Sequence, residues 1–419
     1  MKFILIITLV TASAFISVHA QVKPDMTAGD LTAAQSNAKK LYERITGTKL
    51  PADSPLISQM ANLIQQGNSL GAAKLATQDP NFYNITVKLM ALPLSTREES
   101  LKSPLTDFVA GFIGVTRDDR DARELLTGNF YYRGSGANVR SDIVADILNS
   151  NNHYDDLERT RADLSTNLVR VEGQVLSTSA TTTVANPDPA GVLTSRGFMG
   201  AHALMGTNRR LVEYTFREFM CVPLNMWADT GASDLRIGRD IDRFPSGDHT
   251  KFLTSCKGCH TVQDGFRGAF AKWDFTGTGG LKNSAVHTRG DGSGFTIAAD
   301  TRGVVNKMNK NNTVFPSGYV MIDNSFVNNA IRPANAALFG WRGNALSGTG
   351  VKDFGTVVSN SSRFSQCMAK RVFETVCRKI LDETKSRDAL IKWGTEFEAS
   401  GYKLKSLFES MSVKPECLN

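Results

Sequence analysis

The pentapeptide Cys256-Lys257-Gly258-Cys259-His260 limits the structures open to this chain more than any other part of its sequence. Two thiols three positions apart can form thioethers with two vinyl groups on one edge of a porphyrin, and the adjacent histidine then lies under the iron. With six cysteines and six histidines in 419 residues, random order produces this pattern in roughly one chain in a thousand. The sequence therefore predicts one covalent haem c, with its iron, held by Cys256, Cys259 and His260.

Three other uses of these residues are less favoured by the sequence. A zinc site would need further ligands, no second C-x-x-C is present, and the adjacent Cys259 and His260 are awkward on one tetrahedral ion. A thioredoxin-type dithiol requires a βαβ setting, whereas the surroundings here indicate helix and loop. A structural disulfide between Cys256 and Cys259 would leave His260 without a role.

Aromatic residues flank the motif and are candidates for the wall of a haem site. Phe252 lies one helical turn before Cys256, where its ring could pack on the edge of the macrocycle. Trp273 belongs to a downstream group that suits either a haem wall or an ordinary core, and this group is Phe266, Phe270, Trp273 and Phe275.

The sixth iron ligand decides what a haem does, because a methionine ligand raises the reduction potential and a histidine lowers it. Met308 and Met321 are the only methionines between the motif and residue 367. Met308 lies in a polar segment, whereas Met321 follows a Pro/Gly turn of the kind that presents a ligand. His287, His249 and an open or water-occupied position are the alternatives.

The N-terminus is organised like a secretory signal peptide. Lys2 is followed by an apolar run that ends in Ser17-Val18-His19-Ala20, so we expect cleavage after Ala20. The run is slightly short for a membrane anchor, and no later segment approaches a transmembrane length. We therefore expect a periplasmic or extracellular protein, in a compartment where disulfides form and where haem is attached.

Four further cysteines, Cys221, Cys367, Cys377 and Cys417, can pair in three ways. Periodic apolar residues predict one helix over 364–380, which separates Cys367 from Cys377 by about 15 Å, whereas a disulfide needs Cα atoms within about 7 Å. Each of these two is therefore predicted to bond outside the helix, one to Cys221 and the other to Cys417. Four buried free thiols are the alternative.

Helical periodicity dominates the rest of the chain. It predicts helices within 31–71, 106–126, 208–221, 364–380, 388–400 and 404–411, and loops over 93–104, 177–189 and 277–294. The predicted fold is mainly α, with a cytochrome c-like haem segment embedded between helical regions. Its parts are the signal peptide (1–20), an N-terminal helical region (21–245), the haem segment (246–345) and a C-terminal helical region (346–419).

Composition and charge exclude several classes of protein. With 41% hydrophobic and 21% charged residues, the chain is not disordered, collagen-like or coiled-coil. It has no hydrolase motif such as G-x-S-x-G or H-E-x-x-H, and we assign no catalytic residue. The net charge of +7 suits an acidic redox partner protein, which the sequence does not identify. We expect no nucleic acid partner.

Segments around the motif carry a likeness to a known family. They are Gly206-Thr207-Asn208-Arg209-Arg210 with Cys221, Asp264-Gly265-Phe266, Trp273-Asp274-Phe275, Gly350-Val351-Lys352-Asp353-Phe354-Gly355 and Ser361-Ser362-Arg363-Phe364-Ser365-Gln366-Cys367-Met368. Over roughly residues 200–410 the chain resembles the planctomycete-type cytochrome c family, which consists of exported haem-c proteins built from several domains of unknown function. Gly265 stands where that family has a proline. The resemblance implies haem binding and electron transfer, and no particular substrate.

The expected function is that of an exported, single-haem, c-type cytochrome-like protein that carries electrons. Two alternatives stay open. One is a haem oxidoreductase or peroxidase with an open distal site, and the other is an extracytoplasmic interaction protein in which the haem is structural.

Overall fold

Helices form most of this protein, so the prediction of a mainly α chain is confirmed. The structure is a computed structural model that describes residues 28–139, 144–177, 182–203, 209–227, 229–232, 244–276, 280–283, 297–298, 307–309, 319–321 and 324–418. The predicted signal peptide lies outside these residues. Within them, no helix combines the length and the apolar character that crossing a membrane requires.

The helices fall on both sides of the cysteine motif. Those before it are α1 (Ala28–Thr46), α2 (Pro55–Gln65), α3 (Ser69–Ala76), α4 (Lys88–Leu94), α5 (Asp107–Arg117), α6 (Glu124–Thr127), α7 (Val144–Asn149), α8 (Asn152–Arg159), α9 (Leu164–Asn167), α10 (Arg196–His202), α11 (Arg209–Met220) and α12 (His249–Lys251). The others are α13 (Lys257–Phe266), α14 (Pro333–Phe339), α15 (Gly350–Ser359), α16 (Ser362–Cys377), α17 (Arg387–Ala399), α18 (Leu404–Ser412) and α19 (Pro415–Leu418).

Short helical segments of other types join these elements. Two π-helical segments, Phe82–Val87 and Phe252–Cys256, lead directly into α4 and α13. The 3₁₀ segments are Gly136–Asn138, Gly191–Thr194, Leu224–Met226, Pro245–Gly247 and Arg267–Phe270.

The strands are short and antiparallel. They are β1 (Phe130–Gly134), β2 (Leu168–Glu172), β3 (Val175–Ser177), β4 (Thr183–Ala185), β5 (Trp273–Thr276), β6 (Gly280–Asn283), β7 (Ile297–Ala298), β8 (Lys307–Asn309), β9 (Tyr319–Met321), β10 (Ser325–Val327) and β11 (Ser347–Thr349). The pairs are β1–β2, β3–β4, β5–β6 and β10–β11, and β7, β8 and β9 form one sheet in that order. β4 and β6 lie within predicted loops, because strands this short show no periodicity that a sequence pattern could reveal.

One hydrophobic cluster contains buried residues from all three of the predicted regions of the mature chain. Phe216 of α11 lies at an aromatic centre of this cluster. Its ring centroid is 5.2 Å from that of Phe266 in α13, 5.1 Å from that of Phe339 in α14 and 5.6 Å from that of Phe354 in α15. The helix that carries the cysteine motif is therefore anchored in the same core as the helices near both ends of the chain.

The long helix α16 follows the predicted periodicity. Its core face recurs every four residues and is buried, and it consists of Phe364, Met368, Val372 and Val376. Ser361 caps the first turn, since its Oγ accepts a hydrogen bond from the Arg363 amide at 3.0 Å. The predicted end at residue 380 was wrong. Arg378 takes a left-handed conformation with φ 54°, which stops the helix at Cys377 and leaves Ile380 96% exposed.

Two disulfides attach α16 to other parts of the chain. Cys367 bonds Cys221, just beyond α11, with Cα atoms 5.3 Å apart. Cys377 bonds Cys417 in α19, with Cα atoms 4.9 Å apart. Both cysteines of α16 thus bond outside their helix, in one of the two pairings that the sequence left open.

Candidate haem site

The cysteine motif lies on one uninterrupted helical run, residues 249–266, which we call the motif helix. It consists of α12, the π-helical segment Phe252–Cys256 and α13, and the residues at the junctions keep right-handed helical angles. Asp248 caps its start, because the carboxylate accepts a hydrogen bond from the Thr250 amide at 2.8 Å. The motif helix therefore presents Cys256 and Cys259 one turn apart on the same face.

The chemical state of the two motif cysteines fits attachment of a haem. Both are free thiols, and both are half-buried, as is His260. The Cys259 thiol donates a weak hydrogen bond to the carbonyl of Leu224 at 3.6 Å. Burial, together with the negative charge that a Cys256 thiolate would carry, raises the pKa of Cys259. Both sulfurs thus remain available beside a half-buried histidine.

A buried charge cluster, formed by Arg209, Asp264 and Arg267, lies one turn beyond His260. Arg209 donates two hydrogen bonds to the Asp264 carboxylate, from Nε at 2.6 Å and from Nη2 at 2.9 Å. Arg267 Nη1 is 3.5 Å from Asp264 Oδ1. Burial alone would raise the pKa of Asp264, but the charges of Arg209 and Arg267 outweigh burial and hold this pKa below its usual range. The carboxylate is therefore ionised at neutral pH.

Further contacts fix α13 in its setting. Gln263 donates to the Arg209 carbonyl at 3.1 Å, and Asn329 donates to the Thr261 carbonyl at 3.0 Å. Gly265 lies so close to β10 that a Cβ at this position would be 2.5 Å from the Val327 carbonyl oxygen. A glycine is required here by this close approach, which explains why no larger residue follows Asp264.

Phe252 is fully buried at the start of the motif helix. Its ring stacks on that of His249 with centroids 5.7 Å apart. His249 and His260 lie on the same helical run, about 16 Å apart along its axis. This separation is too large for two ligands of one iron, which excludes His249 as the sixth ligand of an iron bound by His260.

Trp273 and its neighbours contribute to the protein core. The ring centroids of Phe266 and Phe270 are each 5.5 Å from that of Phe354. Trp273 is buried in β5, and its indole Nε1 donates to Asp188 Oδ2 at 3.3 Å. The same carboxylate accepts a hydrogen bond from the Val351 amide at 2.7 Å, at the start of α15. The interpretation of Phe266 and Phe270 as core residues is therefore correct, and a haem-wall role for Trp273 stays a prediction.

The two candidate methionine ligands lie in neighbouring strands. Met308 is in β8 opposite Val320, and Met321 is in β9 opposite Lys307. β9 approaches the segment Arg267–Phe270, which directly follows the motif helix. The other candidate, His287, lies outside the described residues.

Sequence reasoning missed the role of the charge cluster. In the sequence, Asp264 stands out only as part of a family-like segment, and its partner Arg209 is distant in the chain. The sequence nevertheless contained a sign that Asp264 is buried. Asp264 lies one turn after His260, and the nearby positions Val262, Gly265 and Phe266 are apolar.

No protein-family model, no curated protein and no solved structure matches this chain. The resemblance to the planctomycete-type cytochrome c family therefore rests on the quoted segments alone and stays a prediction.

Proposed function

We propose that the protein is an exported, c-type cytochrome-like electron carrier with one covalent haem. The proposal rests above all on the division of the six cysteines. Four are joined in two disulfides, whereas Cys256 and Cys259 are free, half-buried and directly followed by His260. In an oxidising compartment, a pair of thiols kept apart from the structural cysteines needs another use, and the adjacent histidine supplies the iron ligand that a haem requires.

Each residue of the motif has a distinct task in this proposal. Cys256 and Cys259 hold the porphyrin edge through their sulfurs, and His260 supplies a nitrogen to the iron. A bound haem supplies one-electron transfer at that iron. The charge cluster keeps α13 in place by tying Asp264 to Arg209 of α11, so His260 is presented from a helix that is held at its next turn.

Dithiol redox chemistry is the less favoured use of Cys256 and Cys259. Reactive thiols of that kind have a lowered pKa, because positive charge or a helix N-terminus stabilises the thiolate. In this protein, burial raises the pKa of Cys259 instead. The environment of Cys259 therefore disfavours a thiolate at this residue and is compatible with a thioether.

Covalent attachment is tested by exporting the full chain from a host that has a haem-attachment apparatus and then denaturing it. We expect the denatured wild-type chain to retain one haem, detected by its absorbance and its mass. Cys256→Ala with Cys259→Ala should carry none. The matched control, Cys377→Ala with Cys417→Ala, also removes two cysteines and should retain the haem. A wild-type chain that is exported and cleaved without haem would overturn the proposal.

The spectrum of the haem-loaded protein separates the electron carrier from the alternatives. A low-spin, six-coordinate ferrous haem that reacts slowly with carbon monoxide and peroxide supports the carrier, because both axial positions are then filled. A high-spin haem that binds these ligands quickly supports a haem oxidoreductase or peroxidase. If loss of haem unfolds the chain and the loaded protein exchanges no electrons, the haem is structural.

Met321 is our candidate for the sixth ligand, because its strand β9 approaches the segment that follows the motif helix. Met321→Ala should convert the low-spin spectrum to a ligand-binding one. Met308→Ala, in the neighbouring strand, is the matched control and should leave the spectrum unchanged. The reverse result would assign the ligand to Met308, and no change in either variant would exclude both methionines.

A further inference from the structure

A groove with a cavity volume of about 430 Å³ is lined by three parts of the chain. They are the C-terminal end of α1, the C-terminal end of α16, and α4 with the residues next to it. This volume is in the range of small-molecule sites. The groove shares no lining residue with the motif helix or the charge cluster. Its two walls differ in chemistry, since one is apolar and the other carries arginines.

The apolar wall comes from α4 and the loop that follows it. Leu94 is buried in this wall, whereas Leu89 is 42% exposed and Leu101 is 58% exposed. Two neighbouring leucines that remain this exposed beside a cavity mark a surface that a ligand can cover. A flexible apolar chain fits such a wall, because it needs only burial and no directional contact.

The opposite wall carries positive charge that is not neutralised locally. Arg44 is half-buried and donates to the Ser412 carbonyl at 3.0 Å, and burial lowers its pKa. Arg378 is exposed at the end of α16. Among the described residues, neither arginine forms an ion pair with a carboxylate. Two guanidinium groups at one wall of a cavity therefore favour a negatively charged group there.

The remaining charges of this wall are already engaged. Arg371 pairs with Glu218, with Nη2 2.7 Å from Oε2. Glu374 pairs with Lys370, whose Nζ is 4.0 Å from Oε1, and accepts a hydrogen bond from the Leu381 amide at 3.1 Å. The positive charge of Arg44 and Arg378 is thus the part of this wall that is open to a ligand.

We propose that this groove binds a free fatty acid, with its carboxylate on Arg44 and Arg378 and its acyl chain along Leu89, Leu94 and Leu101. A carboxylate accepts hydrogen bonds from a guanidinium in a matching planar geometry. Each methylene that enters the groove should tighten binding about fourfold, until the apolar wall is covered.

Binding is measured on the full mature chain by displacement of a fluorescent fatty acid, with all ligands below their micelle-forming concentration. Decanoate, dodecanoate and hexadecanoate test the apolar wall, and methyl dodecanoate tests the head group. We expect affinity to rise with chain length, and we expect the ester to bind about tenfold more weakly than the acid because it lacks the charge. Equal binding of the acid and the ester, or no displacement by any acid, would overturn the proposal.

Matched variants assign the binding to this groove. Arg378→Gln should weaken dodecanoate binding about tenfold, whereas Arg120→Gln removes the same charge from an arginine 47% exposed elsewhere and should have no effect. Leu101→Ser should weaken binding severalfold. Leu346→Ser, at a leucine 56% exposed outside the groove, is its control. If the controls weaken binding as much as the groove variants do, the fatty acid binds elsewhere.

Discussion

Two helices of this protein each carry a pair of cysteines, and the two pairs differ in chemistry. On α16, Cys367 and Cys377 are buried, lie about 15 Å apart along the axis, and bond cysteines that other segments supply. On the motif helix, Cys256 and Cys259 lie one turn apart, are half-buried and remain thiols. The spacing along a helix thus distinguishes two cysteines that bond to different segments of the chain from two cysteines that lie close together on one face.

A buried carboxylate accompanies each of these helices, and the two carboxylates differ in charge. Asp264 of the motif helix is held ionised by Arg209 and Arg267. Glu218 packs against α16, where its Oε2 is 2.7 Å from Arg371 Nη2. Burial outweighs the charge of Arg371 and raises the pKa of Glu218 to about 7. The charges of Arg209 and Arg267 overcome burial at the first site. At the second site, the charges of Arg371 and Arg217 do not, because the carboxylates of Glu99 and Glu213 oppose them.

Removal of the disulfides should have the largest effect on stability. Cys221→Ala with Cys367→Ala removes a cross-link between residues separated by 146 positions. Cys377→Ala with Cys417→Ala removes a cross-link between residues separated by 40 positions. The loss of chain constraint predicts that the free energy of unfolding falls by about 5 and about 4 kcal/mol, respectively. Urea unfolding of the two double variants measures both values.

The motif cysteines provide the control for this prediction. Cys256→Ala with Cys259→Ala removes no cross-link, so in the haem-free chain we expect the free energy of unfolding to change by less than about 1 kcal/mol. A loss as large as that of the disulfide variants would show that the two pairs of cysteines have the same structural role.

The charge cluster should account for the next largest effect. Asp264→Asn leaves the guanidinium groups of Arg209 and Arg267 buried without the carboxylate, which should cost about 3–5 kcal/mol of unfolding free energy. Asp382→Asn, at a side chain 52% exposed that pairs with Lys385, should cost less than about 0.5 kcal/mol. Similar losses for both variants in urea unfolding would show that burial of the cluster contributes nothing.

The two carboxylates should give the two regions opposite responses to pH. The pKa of Glu218 is raised from 4.5 to about 7, so its contribution to stability is complete below pH 4.5 and is lost as the pH rises through about 7. The slope between these values is at most about 1.4 kcal/mol per pH unit. Glu218→Gln should reduce this slope, which urea unfolding at several pH values between 4.5 and about 7 measures.

For Asp264 the sign is reversed, because the folded pKa lies below the usual 3.8. Its contribution is present above pH 3.8 and is lost as the pH falls further. Asp264→Asn should therefore reduce the loss of stability in acid and leave the slope between pH 4.5 and 7 unchanged. If Glu218→Gln instead changed the loss of stability below pH 3.8, the assignment of the two carboxylates would be wrong.

The end of α16 should give the smallest effect. Ile380 is 96% exposed beyond the helix, so Ile380→Ser should change the free energy of unfolding by less than about 0.5 kcal/mol. Val376→Ala, one turn earlier on the buried face, should cost about 2 kcal/mol. A comparable cost at Ile380 in urea unfolding would place this residue in the core.

Patterns that lie within one helix could be predicted from the sequence. The spacing of apolar residues predicted α16, and the distance between Cys367 and Cys377 along it ruled out their bonding to each other. The end of α16 could not be predicted, because the backbone angle of Arg378 is not encoded in the apolar spacing. The ionisation of Asp264 and Glu218 depends on Arg209 and Arg371, which only the tertiary structure brings near.

The disulfide between Cys221 and Cys367 has a consequence for the integrity of the chain. It closes a covalent ring of the backbone that contains the whole predicted haem segment, residues 246–345. A single cut by a protease anywhere inside this ring leaves both fragments joined through sulfur. The nicked protein therefore stays one molecule, with its motif attached to the helical regions on both sides, until a reductant opens the ring.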